Sequence, residues 1–120
     1  MGITVDGLNT IRSLCGSPQP TQPTHIAVGS GAVAFADTDT ALGGELDRNA
    51  ITDYDMSTSK VITYTSNFSS TELSGLTINE FGIFNAVSAG SLFQREVIGS
   101  IAFEGDRELQ IQAAFRFSGA

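Results

Sequence analysis

The stretch LQIQAAFRF, Leu109 to Phe117, decides the fold. Leu109, Ile111, Ala113, Phe115 and Phe117 alternate with Gln110, Gln112, Ala114 and Arg116, and this period of two predicts a strand with one buried face. Val61 to Phe68 repeats the pattern, with Ile62, Tyr64 and Phe68 on one side and Thr63, Thr65 and Asn67 on the other. Between them Leu76 to Phe84 is denser in apolar residues. Leu76, Ile78 and the Phe81/Ile83 pair predict a central strand covered on both faces. Ser69 to Gly75 reads as a turn, and Ala89-Gly90-Ser91 as a hairpin turn into a strand over Leu92–Ile98. Upstream, His25 to Val28 reads as a short strand closed by Gly29-Ser30-Gly31, and Ala50-Ile51 could start another. Thr40 to Leu46 predicts about one helical turn, capped by Thr40 or Asp39, whose side-chain oxygens can accept from the amides of a first turn. About six short strands separated by turns predict a mainly β fold, an antiparallel β-sandwich or jelly roll.

The N-terminus follows a different period. Val5, Leu8, Ile11 and Cys15, with Leu14 beside them, recur at helical spacing, and Asp6 sits where its charge suits the helix dipole. All three prolines, Pro18, Pro20 and Pro23, fall in the connector that follows, which is therefore extended and stiff. The expected organisation is a helix over residues 1–16, a Pro-rich connector over 17–23 and a β-sandwich domain over 24–120. A helix set apart in this way still has an apolar face to bury. Docking across a subunit boundary, with Leu8, Ile11 and Leu14 as anchors, is the expectation.

A chain of 120 residues with 41% apolar and 16% charged content can bury a real core as one domain. One lysine, five arginines and thirteen carboxylates give a net charge of −7, which argues against a nucleic-acid partner, since phosphate binding needs clustered Lys and Arg. Cys15 has no partner for an internal disulfide and is expected to be a small core residue. No apolar run approaches the ~20 residues of a membrane span, and no basic-then-apolar leader opens the chain, so a soluble product with no membrane partner is expected.

Candidate chemistry is thin. Gly29-Ser-Gly31 lacks the third glycine, the long helix and the following acid of a dinucleotide-binding unit, and reads as a turn needing positive φ. Ser30 and His25 lack a nucleophile elbow, so His25 is expected to cover a strand edge or a subunit contact. Asp37/Asp39 and Asp53/Asp55 are carboxylate pairs of the kind that can hold Ca²⁺, but the full calcium-loop pattern is missing, so capping and hydration are expected. No catalytic residue, cofactor, metal or small-molecule ligand is expected. Glu80 lies inside an apolar strand, where an unpaired carboxylate would cost several kcal/mol. Arg48 is the expected partner, in a structural ion pair that locks the helical turn to the sheet.

Three short motifs, in order, resemble those of the N-terminal, virion-attached domains of tail-fibre and tail-collar proteins of tailed phages. Thr24, Ile26, Ala27, Gly29 and Gly31 match the first, and Thr40, Leu42, Glu45 and Arg48 the second. Ile78, Glu80, Gly82, Ile83 and Phe84 match the third. The resemblance spans about residues 5–118. It implies a non-enzymatic structural protein of a virion, made in the host cytoplasm and placed on a tail or capsid surface. Its implied partners are copies of itself, as a trimer or ring, and other virion proteins. The implied role is in a fibre, collar or baseplate adaptor, with capsid decoration as the alternative.

Overall fold

In the computed structural model, which describes residues 2–16 and 22–118, the alternating segments pair into sheets. The elements run β1 (Gly2–Ile3), α1 (Val5–Gly16), β2 (His25–Gly29), β3 (Glu45–Ala50) and β4 (Asp53–Asp55). They continue with β5 (Val61–Phe68), α2 (Ser70–Leu73), β6 (Thr77–Phe84), β7 (Leu92–Ala102) and β8 (Leu109–Arg116). One sheet has the order β1-β7-β6-β2-β3, the other β4-β5-β8, and every pairing is antiparallel. The fold is a mainly β sandwich, as the alternation predicts.

Two inner faces make the core. The large sheet contributes Ile26, Val28, Ile78, Phe81, Ile83 and Phe93, and the small one Tyr64, Phe68, Ile111, Ala113 and Phe115. Phe115 stacks on Phe93 and meets Tyr64 edge-on. β6 is central, and its outer face carries a second cluster of Ala27, Leu42, Phe84 and Leu92, so it is covered on both sides. The seven-residue loop from β6 into β7 places Ala89 at φ 52° and Gly90 at φ 77°, two successive positive values that turn the chain back into β7.

Two expectations about the connecting segments need correcting. The helical turn over Thr40–Leu46 does not form: residues 30–44 carry no regular element, and Glu45 already opens β3 opposite Gly29. Tertiary contacts win there, because Leu42 is drawn onto the sheet while the amides of Gly43 and Gly44 serve a distant carboxylate. The turn at 69–75 contains a short helix instead. Ser69 Oγ accepts from the Glu72 amide (3.2 Å) and Glu72 Oε1 from the Ser69 amide (2.9 Å), a complete capping box.

The N-terminal helix forms as predicted, but it does not stand apart. β1 pairs with β7, Gly2 opposite Arg95 and Ile3 opposite Gln94. Thr4 is fully buried; its amide donates to the Phe93 carbonyl (3.0 Å), its hydroxyl donates to the Leu92 carbonyl, and its oxygen caps the helix by accepting from the Gly7 amide (2.8 Å). Gly7 lets the helix press on β7, since a Cβ there would come within 2.6 Å of Phe93 backbone atoms. Of the three anchors, Ile11 and Leu14 are half-buried against the chain itself, while Leu8 is 52% exposed. Cys15 is exposed, not a core residue, because the buried face runs through Gly7 and Thr10. Most of the Pro-rich connector, residues 17–21, lies outside the described residues.

Candidate functional site

Glu80 is completely buried beneath the loop 30–44. Three backbone amides of that loop converge on its carboxylate: Gly31 to Oε2 (2.7 Å), Gly43 to Oε1 (2.9 Å) and Gly44 to Oε2 (2.8 Å). From the neighbouring strand β7, the buried Arg95 donates through Nε to Oε1 at 2.8 Å. Its other nitrogens reach Asp39 Oδ2 (3.0 Å) and the Val33 carbonyl (2.9 Å), tying the same loop at two more points. Burial alone would raise the Glu80 pKa. The Gly43 amide, Arg95, and the Gly44 and Gly31 amides outweigh it and hold the carboxyl below its ordinary value.

The glycines of this loop are required for closeness, not for positive φ. Neither Gly29 nor Gly31 lies in the left-handed region. A Cβ on Gly31 would sit 2.4 Å from Glu80 Oε2, and one on Gly29 2.6 Å from the same oxygen. Successive amides in a Gly-rich turn make an anion cradle. Here the anion is the chain's own carboxylate.

The expected Arg48–Glu80 pair is therefore wrong on both sides. Arg48 holds Glu45 with two nitrogens, at 2.6 and 2.9 Å, and its third donates to the carbonyls of Ala86 (3.0 Å) and Ala89 (2.9 Å). Its guanidinium lies 3.8 Å above the Phe84 ring centre. Arg48 thus staples the 85–91 hairpin loop to β3, while Arg95, which shares β7 with Phe93, takes Glu80.

The remaining polar candidates do not assemble. His25 opens β2 and Ser30 follows its end, about 16 Å apart along an extended strand, too far for a nucleophile and its base. β2 lies inside the large sheet, so His25 does not cover an edge; its Nδ1 pairs with the Thr24 hydroxyl, and burial, then Arg48, lower its pKa. Asp39 is engaged by Arg95 and the Ala36 amide, and Asp55 by the Ser57 amide. Among the described residues no group of three or more His, Cys, Asp or Glu could hold a metal ion. No described helix is long and apolar enough to cross a membrane.

The accessible apolar surface lies elsewhere, around α1 and the C-terminal end of β8. A groove of about 450 Å³ runs between α1 and the small sheet, lined by Ile11, Leu14, Tyr54, Tyr64, Phe93 and Phe115 among others. Burial, and then the neighbouring Tyr54, push the Tyr64 hydroxyl up to about 12, so it stays protonated. A second groove of about 430 Å³ separates β1 and α1 from β8, with Ile3, Leu8, Gln94, Ala114 and Phe117 on its walls. The buried side-chain oxygen of Gln94 has no hydrogen-bond partner among the described residues. Leu8 and Phe117 expose about half of their surface at its rim.

No protein-family model matches the chain, and no curated protein matches it.

Proposed function

We propose that this chain is a non-enzymatic structural subunit of a tailed virus, self-associating and attached at the tail as part of a fibre, collar or baseplate adaptor. The observation that carries the reading is the convergence of the three motifs on one packed unit. Gly29 and Gly31 of the first make room for Glu80 of the third. Leu42 of the second packs with Ala27 and Phe84, and a Cβ on Gly82 would come within 2.7 Å of it. Arg48 and Glu45 of the second close the adjoining hairpin. Every one of these groups is spent on holding backbone in place. The Glu80 carboxylate and the Arg48 and Arg95 guanidiniums are satisfied within the chain, and the apolar grooves beside α1 and β8 suit subunit contacts.

Immunogold labelling of purified virus particles, with mass spectrometry of the same particles, tests this. Label at the tail in few copies is expected. Absence of the chain from the particles overturns the proposal, and label spread over the head in hundreds of copies replaces the tail role with capsid decoration.

A further inference from the structure

β8 is an open edge with unusually little to close it. The Phe117 amide donates to the Lys60 carbonyl at 2.8 Å, continuing the register in which Ile62 faces Phe115 and Tyr64 faces Ala113. Backbone groups alternate in direction along a strand, so odd-numbered residues turn theirs to β5. Gln110, Gln112, Ala114 and Arg116 turn theirs outward. Edges are ordinarily blunted by shortness, charge, proline or a bulge. The other outer strands use these devices: β1 has two residues, β4 is three residues with two aspartates, and β3 carries Glu45, Asp47 and Arg48 and pairs through a shifted register. β8 pairs with β5 through eight residues without a shift, has no proline, and carries a single charge, Arg116.

We propose that β8 pairs antiparallel with β8 of a second copy, about a two-fold axis at Ala113. The proposal rests on the self-association read above and names its contact. In this register Gln110 lies opposite Arg116 of the second copy and Gln112 opposite Ala114, so every outward-turned residue of the strand finds a partner. On the inner face Ile111 meets Phe115 and Leu109 meets Phe117, apolar against apolar, and Phe117 loses the exposure it has in the single chain. A slip that brings Gln112 opposite itself would set Arg107 against Phe117. Charge permits the chosen register, since Arg116 faces no like charge and Glu108 of the second copy lies diagonal to it. The slip would set Glu108 opposite Arg116 but loses the Leu109–Phe117 pair, so the apolar face decides. The second groove lies beside the C-terminal half of this edge, from Ala114 to Ser118, with Ile3 and Leu8 also on its walls. Such a contact is isologous and closes on itself, giving one six-stranded sheet across a dimer. The dimer, in place of the expected trimer or ring, becomes the elementary unit.

The mass of the full chain by sedimentation equilibrium, at micromolar concentration, tests the contact. The unmodified chain is expected to be a dimer. Gln112→Lys with Ala114→Lys sets lysine opposite lysine and is expected to give a monomer whose far-UV circular dichroism matches the unmodified chain, because both side chains are exposed, and whose melting temperature no longer rises with protein concentration. Gln112→Lys with Ala114→Glu sets opposite charges face to face and is expected to restore the dimer. Ala114→Pro removes an outward amide that β5 does not use, a second route to the monomer. A double-lysine variant that keeps the oligomeric mass overturns the β8 contact while leaving self-association standing. A Lys/Glu variant that stays monomeric overturns the register. An unmodified chain that is monomeric throughout overturns both the contact and the self-association on which it rests.

Discussion

The Glu80 node and the β8 edge treat backbone hydrogen-bonding groups in opposite ways. At the node an irregular loop, with no helix or strand to satisfy it, finds an acceptor for three of its amides inside the chain. At the edge the most regular strand of the small sheet leaves the outward groups of four residues with no strand partner among the described residues. The three amides of the irregular loop are thus satisfied from within the chain. The anion cradle of loop 30–44 is filled by the chain's own Glu80, whereas the open edge is a plain alternating strand.

The largest effects should come from breaking the node. Glu80→Gln puts an amide NH₂ among four donors, and Arg95→Met leaves the carboxylate buried beside amides alone. Each is expected to lower stability by about 3–5 kcal/mol, read from denaturant melts. The double variant should lose much less than the sum of the two, and simple additivity would show that the residues act separately. Gly31→Ala drives a Cβ into the carboxylate and is expected to cost about 1–3 kcal/mol by overpacking. A melt unchanged by Gly31→Ala would mean that the cradle is looser than its distances indicate.

Acid sharpens the same contrast. The folded pKa of Glu80 lies below its unfolded value, so its contribution is complete above the unfolded value of about 4.3 and is lost as pH falls through the folded one. Stability should therefore fall in acid below about pH 4, and in Glu80→Gln this part of the slope should be absent. An acid slope identical in the two proteins would remove the node as its cause. Arg48→Ala should be milder, about 1–2 kcal/mol, because Glu45 is partly exposed and water can replace much of what Arg48 gives the Ala86 and Ala89 carbonyls. A loss as large as that at Arg95 would make the hairpin staple an equal partner in the fold.

Much of the fold was legible because period reports burial. The strands at 61–68 and 109–116 and the helix at 5–16 follow from spacing, and the strand at 77–84 from its density of apolar residues. The loop 30–44 was not legible, since Asp39 and Thr40 are good local caps, yet Asp39 goes to an arginine 56 residues away. No local rule reports such a pairing. The need of Glu80 for a partner was legible; its identity was not. Arg95 carries the same signal, a charge inside the apolar run LFQREVI, whereas Arg48 stands nearer in sequence to the loop that covers Glu80. The Ser69/Glu72 capping box was fully written in the sequence and passed for a turn, because four helical residues are too short to show a period. The β8 edge was legible as a strand but not as an edge, which only the topology decides.

Residue-resolved amide hydrogen exchange on β8, at high and at low protein concentration, tests most directly whether the unfinished edge is the assembly surface. The amides of Ile111, Ala113 and Phe115, bonded to β5, should be protected at both concentrations. Those of Gln110, Gln112, Ala114 and Arg116 should be protected only at the high one, when a second copy covers them. Fast exchange of these four amides at every concentration would contradict the assignment of β8 as the contact.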